Sequence, residues 1–382
     1  MLRRARQRQA ARAARPAGAR RSTAPLSSAP RRLENLMGSP AAGRTRNGTG
    51  ASGPVRKALG QQLIADLEKL CGRPTIGLRD VAWDLMAIAA AAIAGHLVGH
   101  VAGPLLAVCY IGVRQRHLSN LGHECVHSKL MATRRANRIV GYLLTGLLGE
   151  GFEPYRSSHY VHHAKLGSDD DPMFQSYRAG NIRAAGRAPS RRAFVLRVIV
   201  RNALWRLPKT AVLTLLTRAP GETWRALAAR AVLWAGVVAA LWPVGGVPYL
   251  LLYWLLPLVL ARPVVTWITD LGNHAGLIEN GDTLLQTRGW TSHWLTRHLL
   301  GGHLDDMFHP IHHWCPQIPW RRLPEARALA AEHLPRFGEV PWCSGYFFRR
   351  RATPDQPCVI EDIITRLAAP AACTPARHAS AA

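Results

Sequence analysis

Two long apolar stretches constrain the fold of this chain more than any other feature of the sequence. Residues 81–113 contain Asp84 as their only formally charged residue, and a second apolar block runs from residue 226 to about residue 268. A helix needs about 20 apolar residues to cross the ~30 Å hydrocarbon core of a bilayer, so each block is long enough for two spans. Glycine and proline residues inside each block mark the turns between them. We place the four spans at about residues 82–99, 102–118, 227–242 and 247–268.

These spans predict an all-α integral membrane protein with four transmembrane helices in two hairpins. Buried helices of a soluble protein are the alternative, but two adjacent helices this rich in alanine are unusual in a soluble core. The membrane domain takes residues 61–351. We interpret residues 1–60 as a disordered basic tail, because they contain thirteen Arg and one Lys against a single acid and no aromatic residue. Residues 352–382 read as a weakly structured C-terminal tail.

Three histidine motifs lie beyond the ends of the predicted spans. The first is an HxxxH pair, His123 and His127, and the other two are HxxHH triplets. On a helix, residues three and four apart share a face, so each motif directs its imidazoles towards one place. One triplet can arise by chance in a histidine-rich chain, but two triplets and a pair do not. The triplets are His159, His162 and His163, and His309, His312 and His313.

The clustered imidazoles predict a metal site, because histidine is the commonest metal-ligating side chain. Eight or nine histidines are too many for one zinc ion and are enough for two ions with four or five ligands each. Imidazole and open coordination positions suit iron, although these residues alone leave the metal open. The seven cysteines contain no CxxC pair, which argues against a zinc ribbon or a Cys-ligated iron–sulfur domain. Other histidines have no partner at ligand spacing, and we expect no metal at His96, His100, His117, His293, His298, His333 or His378.

The charge distribution predicts how the membrane domain is oriented. Two spans precede the first two motifs and two more precede the third, so an even number of crossings leaves all motifs on one side. The basic N-terminal tail, the arginine-studded residues 178–230 and the basic residues 349–351 fall on that same side. The positive-inside rule makes it cytosolic. We therefore expect a cytosolic helical cap that carries the histidine motifs, both termini in the cytosol, and the inner membrane as the location in a bacterium.

The motifs resemble those of the integral-membrane fatty acid desaturases and hydroxylases, over roughly residues 85–325. The resemblance rests on GHECVHS at residues 122–128, HYVHH at residues 159–163 with Asp171 and Pro172 after it, and HPIHHWCPQIPW at residues 309–320. Members of that family carry a further histidine at the end of the fourth span, often as NxxxH. Residues 270–274, DLGNH, are the equivalent here, with Asp270 where the family often has Asn.

The resemblance implies a di-iron centre that activates O2 and abstracts hydrogen from an unactivated C–H bond of an acyl chain. It adds His274 as a ninth ligand, and Asp270 and Asn273 stand near it in sequence; His303 leads directly into the third motif. These three residues are candidates for contacts to the ligands rather than to the metal. The implied ligand set is His123, His127, His159, His162, His163, His274, His309, His312 and His313.

The resemblance implies an external electron donor, because neither an HPGG haem-binding signature nor a Cys-rich ferredoxin pattern is present. The candidate donors are a ferredoxin, a rubredoxin or a cytochrome b5, each with a reductase. The other expected partners are a membrane and a lipid-like substrate. A hydroxylase or ketolase acting on an acyl chain, alkane or carotenoid remains the nearest alternative. A membrane metal-binding or transport protein is a different class, which would place polar ligands on the spans themselves. We expect no specific nucleic-acid partner, since a nucleic-acid-binding function would leave the apolar blocks and the histidine motifs unexplained.

Overall fold

The computed structural model of the protein describes residues 50–72, 77–182, 190–300 and 304–368. Helices dominate, as the apolar and histidine periodicities predict. The α-helices, in chain order, are α1 (Gly53–Leu59), α2 (Gln61–Glu68), α3 (Gly77–Leu97), α4 (Ala102–Val126), α5 (Arg134–Leu147), α6 (Phe152–Ala164), α7 (Pro172–Ala179), α8 (Arg191–Phe194), α9 (Leu207–Leu216), α10 (Trp224–Leu241), α11 (Val247–Leu250), α12 (Leu256–His274), α13 (Trp294–Leu299), α14 (Leu304–Met307), α15 (His309–Trp314), α16 (Leu323–His333) and α17 (Val359–Ala368).

Shorter elements connect several of these helices. Two three-residue strands, β1 (Gly289–Thr291) and β2 (Trp342–Ser344), pair in parallel, with Trp290 opposite Cys343. This small sheet is an addition to the all-α architecture that the sequence predicts. Turns with i→i+5 hydrogen bonds occupy Val195–Val200, Asn202–Arg206 and Leu251–Leu255, and tighter i→i+3 turns occupy Trp242–Val244, Trp320–Arg322 and Phe337–Glu339.

In the described part of the chain, three helical segments are long and apolar enough to cross a membrane. They are Gly77–Leu97, Trp224–Val244 and Val247–His274, the last being continuous through α11 and α12. Many of their large apolar side chains are exposed, Leu97 and Val232 among them, which fits contact with lipid rather than a soluble core. These helices indicate that the protein associates with a membrane.

The predicted span at residues 102–118 falls within α4, which is 25 residues long but is not among those three segments. The second half of α4 is buried inside the protein and carries Arg114 and Arg116. Arg114 forms a buried ion pair with Asp84 of α3, the one charge in the first apolar block. A buried charge is tolerated only when it is paired, so this contact joins α3 to α4. The four-span topology and the cytosolic cap stay predictions.

A close crossing of α4 and α12 brings two site-bearing helices together. A β-carbon added at Gly112 would lie 2.4 Å from the Cβ of Ala261, so only glycine permits this approach. Around the crossing, Leu118, Leu121 and Leu258 are nearly fully buried in one apolar cluster. The last residue of α4 is Val126, which His127 follows as the C-cap, and α12 ends at His274.

Two helices occupy segments in which the sequence predicted little structure. Helix α1 lies inside the predicted tail 1–60, where Val55 and Leu59 are buried. Helix α17 lies inside the predicted tail 352–382, and its residues Val359, Ile360 and Ile363 are fully buried. A short amphipathic helix is easily hidden in a segment of this kind, because its apolar face finds a partner only after folding. Residues 1–49 and 369–382 lie outside the described residues.

Candidate metal centre

The structure gathers nine histidines into two separate groups. The first group contains five imidazoles, each offering one nitrogen, and these nitrogens all lie within 4.8 Å of one another. The Nε2 atom of His159 is central, at 2.9 Å from the Nε2 atoms of His123, His127 and His163. The Nε2 atom of His312 completes the group at 3.2 Å from that of His163.

The second group contains four imidazoles, whose nitrogens also lie within 4.8 Å of one another. The Nε2 atom of His309 lies 2.8 Å from that of His274 and 3.0 Å from that of His313. The ring of His162 stands 4.8 Å from the ring of His274, centroid to centroid. Helix α12 thus contributes a residue that belongs to none of the three motifs.

Each HxxHH triplet divides between the two groups. On α6, His159 and His163 face the first group and His162 faces the second. On α15, His309 and His313 face the second group and His312 faces the first. Residues four apart point almost the same way on a helix, whereas a residue three apart is rotated to the other flank of the stripe. The HxxHH spacing is therefore suited to bridging two neighbouring sites.

Hydrogen bonds on the outer side of the rings fix their orientation. His162 directs Nδ1 at Oδ1 of Asp171, 2.9 Å away, so its Nε2 is left for the second group. Asp171 is itself fully buried and accepts from the backbone N–H of Gly167 and of Met173, both at 2.9 Å. His274 donates from Nδ1 to the carbonyl oxygen of Gln286 at 3.2 Å. Such partners select the ring tautomer that presents Nε2 to a metal.

Burial favours the neutral, metal-binding form of several of these imidazoles. Desolvation is the main cause that lowers the pKa of His127, His159, His163 and His313 well below the ordinary value, and neighbouring imidazoles lower each pKa further. Neutral rings that face each other at hydrogen-bond distance can satisfy only some of their lone pairs. A cation placed among them satisfies all, so the donor set fits one metal ion in each group.

A buried charge network lies beside the second group. Arg116 Nη2 is 3.0 Å from Asp306 Oδ1 and 3.7 Å from Asp270 Oδ1. Asn120 donates from Nδ2 to Asp306 Oδ2 at 2.9 Å, and Asn273 donates to Asp306 Oδ1 at 3.5 Å. Asp270 and Asn273 belong to this network, Asp270 through an ion pair with Arg116 and Asn273 through Asp306; their contact with the ligands stays a prediction. Arg116, Asn120 and Asp306 were missed by the sequence reasoning; an acid three residues before His309 was the available signal.

The remaining histidines of the described residues lie outside both groups. His117 sits 3.6 Å from Asp84, His298 contacts the Tyr110 hydroxyl at 3.2 Å, and His333 is exposed. His303, which leads into the third motif, is outside the described residues, so its role stays a prediction.

Comparison with known proteins agrees with this arrangement. The family model for fatty acid desaturases matches residues 79–345, more than half of the chain. A dihydrorhizobitoxine desaturase from Bradyrhizobium elkanii is 26% identical over 326 residues, which cover 80% of this chain and 89% of that protein. A probable fatty acid desaturase from Sorghum bicolor is 27% identical over 258 residues, covering 59% of this chain and 62% of that protein. The matched region contains both histidine groups.

Proposed function

Because the chain belongs to the fatty acid desaturase family, we propose that it is a membrane-bound di-iron oxidoreductase that introduces a double bond into an acyl or related lipid-like chain. Membership supports a desaturase- or hydroxylase-type oxidoreductase, and the finer assignment rests on the site. The observation that carries it is the division of nine buried or partly buried imidazoles into a group of five and a group of four. Two adjacent nitrogen-rich sites suit a pair of redox-active irons better than a structural zinc.

We assign the ligands of one iron to His123, His127, His159, His163 and His312, and those of the other to His162, His274, His309 and His313. Bound iron would supply the activation of O2 that an unactivated C–H bond requires. The chain's own contribution is to hold the rings: Asp171 orients His162 and Gln286 orients His274. The burial of the rings excludes bulk water from the reacting region.

The proposed reaction balances with two electrons from an external donor. Desaturation removes two hydrogen atoms from adjacent carbons, and these with two protons and two donor electrons reduce one O2 to two waters. A hydroxylase would instead insert one oxygen atom and release one water. The donor is a ferredoxin, rubredoxin or cytochrome b5 type protein served by a reductase. We further propose four spans, with the histidine groups and both termini on the cytosolic side.

We propose only the chemical class of the substrate and not its identity. One relative is named for dihydrorhizobitoxine and the other for fatty acids, so relatives of this chain differ in what their names say they act on. Fatty acyl-lipid, acyl-CoA, carrier-bound acyl group and smaller specialised metabolite are the classes to be separated by product analysis.

The test is lipid and metabolite profiling by mass spectrometry in cells that express the protein with a ferredoxin and its reductase. We expect a product that has lost two hydrogen atoms relative to a metabolite of control cells. The product should disappear with His127→Ala, which removes a ligand of the five-member group, and persist with His333→Ala, which changes an exposed histidine. A product that has gained oxygen instead would reassign the protein as a hydroxylase, and no product change at all would refute the proposal.

A further inference from the structure

A small cleft lies next to the charge network of the metal centre. It has a volume of about 200 Å³ and runs between α9 and α12. One water molecule needs about 10–15 Å³ of such space, so the cleft has room for a small ligand group. Its polar lining includes Glu150, Arg206, Thr210, Arg262, Thr266 and Asp270.

Three residues that line the cleft carry buried polar atoms without a hydrogen-bond partner among the described residues. These atoms are Nη2 of Arg206, Nε of Arg262 and Oγ1 of Thr266. Buried polar atoms are nearly always satisfied in folded proteins, by protein, water or ligand. All three are able to donate a hydrogen bond. Their shared location therefore favours a ligand group that accepts hydrogen bonds.

The cleft is lined by two arginines and two acids, so its formal charge balances, but the two arginines differ in their ion pairs. Arg262 is neutralised by Glu150, with Nη2 2.5 Å from Oε1. Arg206 has no carboxylate within ion-pair distance in the described part of the chain. Its Nε donates to Asn202 Oδ1 at 2.6 Å, and its guanidinium stacks over the ring of Trp267 at 4.3 Å. The planar group is thus held in one orientation with a positive charge left to neutralise, which suits a carboxylate.

The cleft is connected to the histidines through two side chains. Asp270 lines the cleft, lies within ion-pair reach of Arg116, and precedes His274 by one helical turn. Tyr155 is partly buried, lies near Glu150, Arg262 and Asp270 of the cleft, and places its ring 6.2 Å from the ring of His159. Asp270 and Tyr155 therefore lie near both the cleft and the histidines.

We propose that this cleft binds a carboxylate carried by the substrate and that Arg206 is its principal partner. The proposal rests on the proposed function for the identity of the bound molecule as substrate. It selects a small carboxylate-bearing molecule from the substrate classes left open, since an acyl group on a bulky carrier has no free carboxylate to offer. Arg206 is then a specificity-determining residue, remote from the reacting carbons.

The probes are hexanoate, its uncharged analogue hexanamide, and inorganic phosphate, titrated calorimetrically into the detergent-solubilised, iron-loaded full chain. We expect hexanoate to bind about tenfold or more tightly than hexanamide, as a charge-assisted hydrogen bond predicts. Arg206→Gln should weaken hexanoate binding to the level of hexanamide, and Arg206→Lys should recover part of the loss. Arg201→Gln is the matched control, because Arg201 is an exposed arginine five residues earlier that does not line the cleft.

A second variant guards against a folding defect in the arginine mutants. Thr266→Val keeps the shape of the side chain and removes the unpaired hydroxyl, so hexanoate binding should weaken several-fold with an unchanged melting temperature. Equal binding of hexanoate and hexanamide, binding unaffected by Arg206→Gln, or Arg206-dependent binding of phosphate but not hexanoate would each overturn the proposal. Calorimetry needs no turnover, so carboxylate binding without an O2-dependent product would refute the function and leave the cleft assignment standing.

Discussion

Replacement of Asp171 by Asn tests whether the second histidine group holds an iron. Asp171 has three hydrogen-bond donors around it: His162 Nδ1 and the backbone N–H of Gly167 and of Met173, each at 2.9 Å. An asparagine amide offers one oxygen in place of two. In either orientation of the amide, a buried N–H group faces another N–H group and loses its acceptor.

The loss of the carboxylate charge sets the expected size of the effect. The carboxylate accepts from His162 Nδ1 and raises the basicity of the ring that would bind iron through Nε2, and removing such a partner costs about 10- to 100-fold in metal affinity. The unpaired backbone N–H group costs about 1–3 kcal/mol with or without iron, so it lowers the stability of the fold instead. We therefore expect iron affinity at the second group to fall about 10- to 100-fold.

The measurement is iron retained per chain during titration with a competing chelator. Wild-type protein should lose its two irons over a common range, whereas Asp171→Asn should release one iron at a chelator concentration about 10- to 100-fold lower and keep the other. Asp170→Asn is the matched control, since Asp170 is an exposed neighbour that pairs with Lys165. Release curves of Asp171→Asn that superimpose on those of Asp170→Asn would refute the orienting role of Asp171.

Three further predictions concern the ninth histidine, the electron donor and the topology. His274→Ala should lower iron from about two to about one per chain and abolish turnover, while His298→Ala leaves both unchanged; full iron in His274→Ala would exclude His274 as a ligand. Purified protein with O2 and substrate should be inert until a reductase and a small acidic carrier are added, and higher salt should slow the reaction because charged docking is screened. Turnover without a donor would contradict this. Lys165→Cys and Glu332→Cys, both at exposed positions, should resist an impermeant thiol reagent in intact cells and react after permeabilisation, and labelling of either in intact cells would reverse the topology.

Much of this protein was predictable from local patterns in its sequence. The apolar blocks predict helices suited to a membrane, and three such segments are present in the described residues. The HxxxH and HxxHH spacings predict that His123 and His127, or the members of each triplet, share a helix face, which follows from 3.6 residues per turn alone. Family resemblance then pointed to His274, which lies within 2.8 Å of His309.

Only the tertiary structure determined which helix faces contact one another. Local spacing says that His162 and His163 are neighbours, but the packing of α6 against α4, α12 and α15 sends them to different groups. The same packing pairs Arg116 with Asp306, 190 residues apart, and gives the otherwise ordinary Asp171 its contact with His162. Side-chain periodicity depends on one helix at a time, whereas these contacts depend on the angle and distance between helices, which are set by close approaches such as that at Gly112.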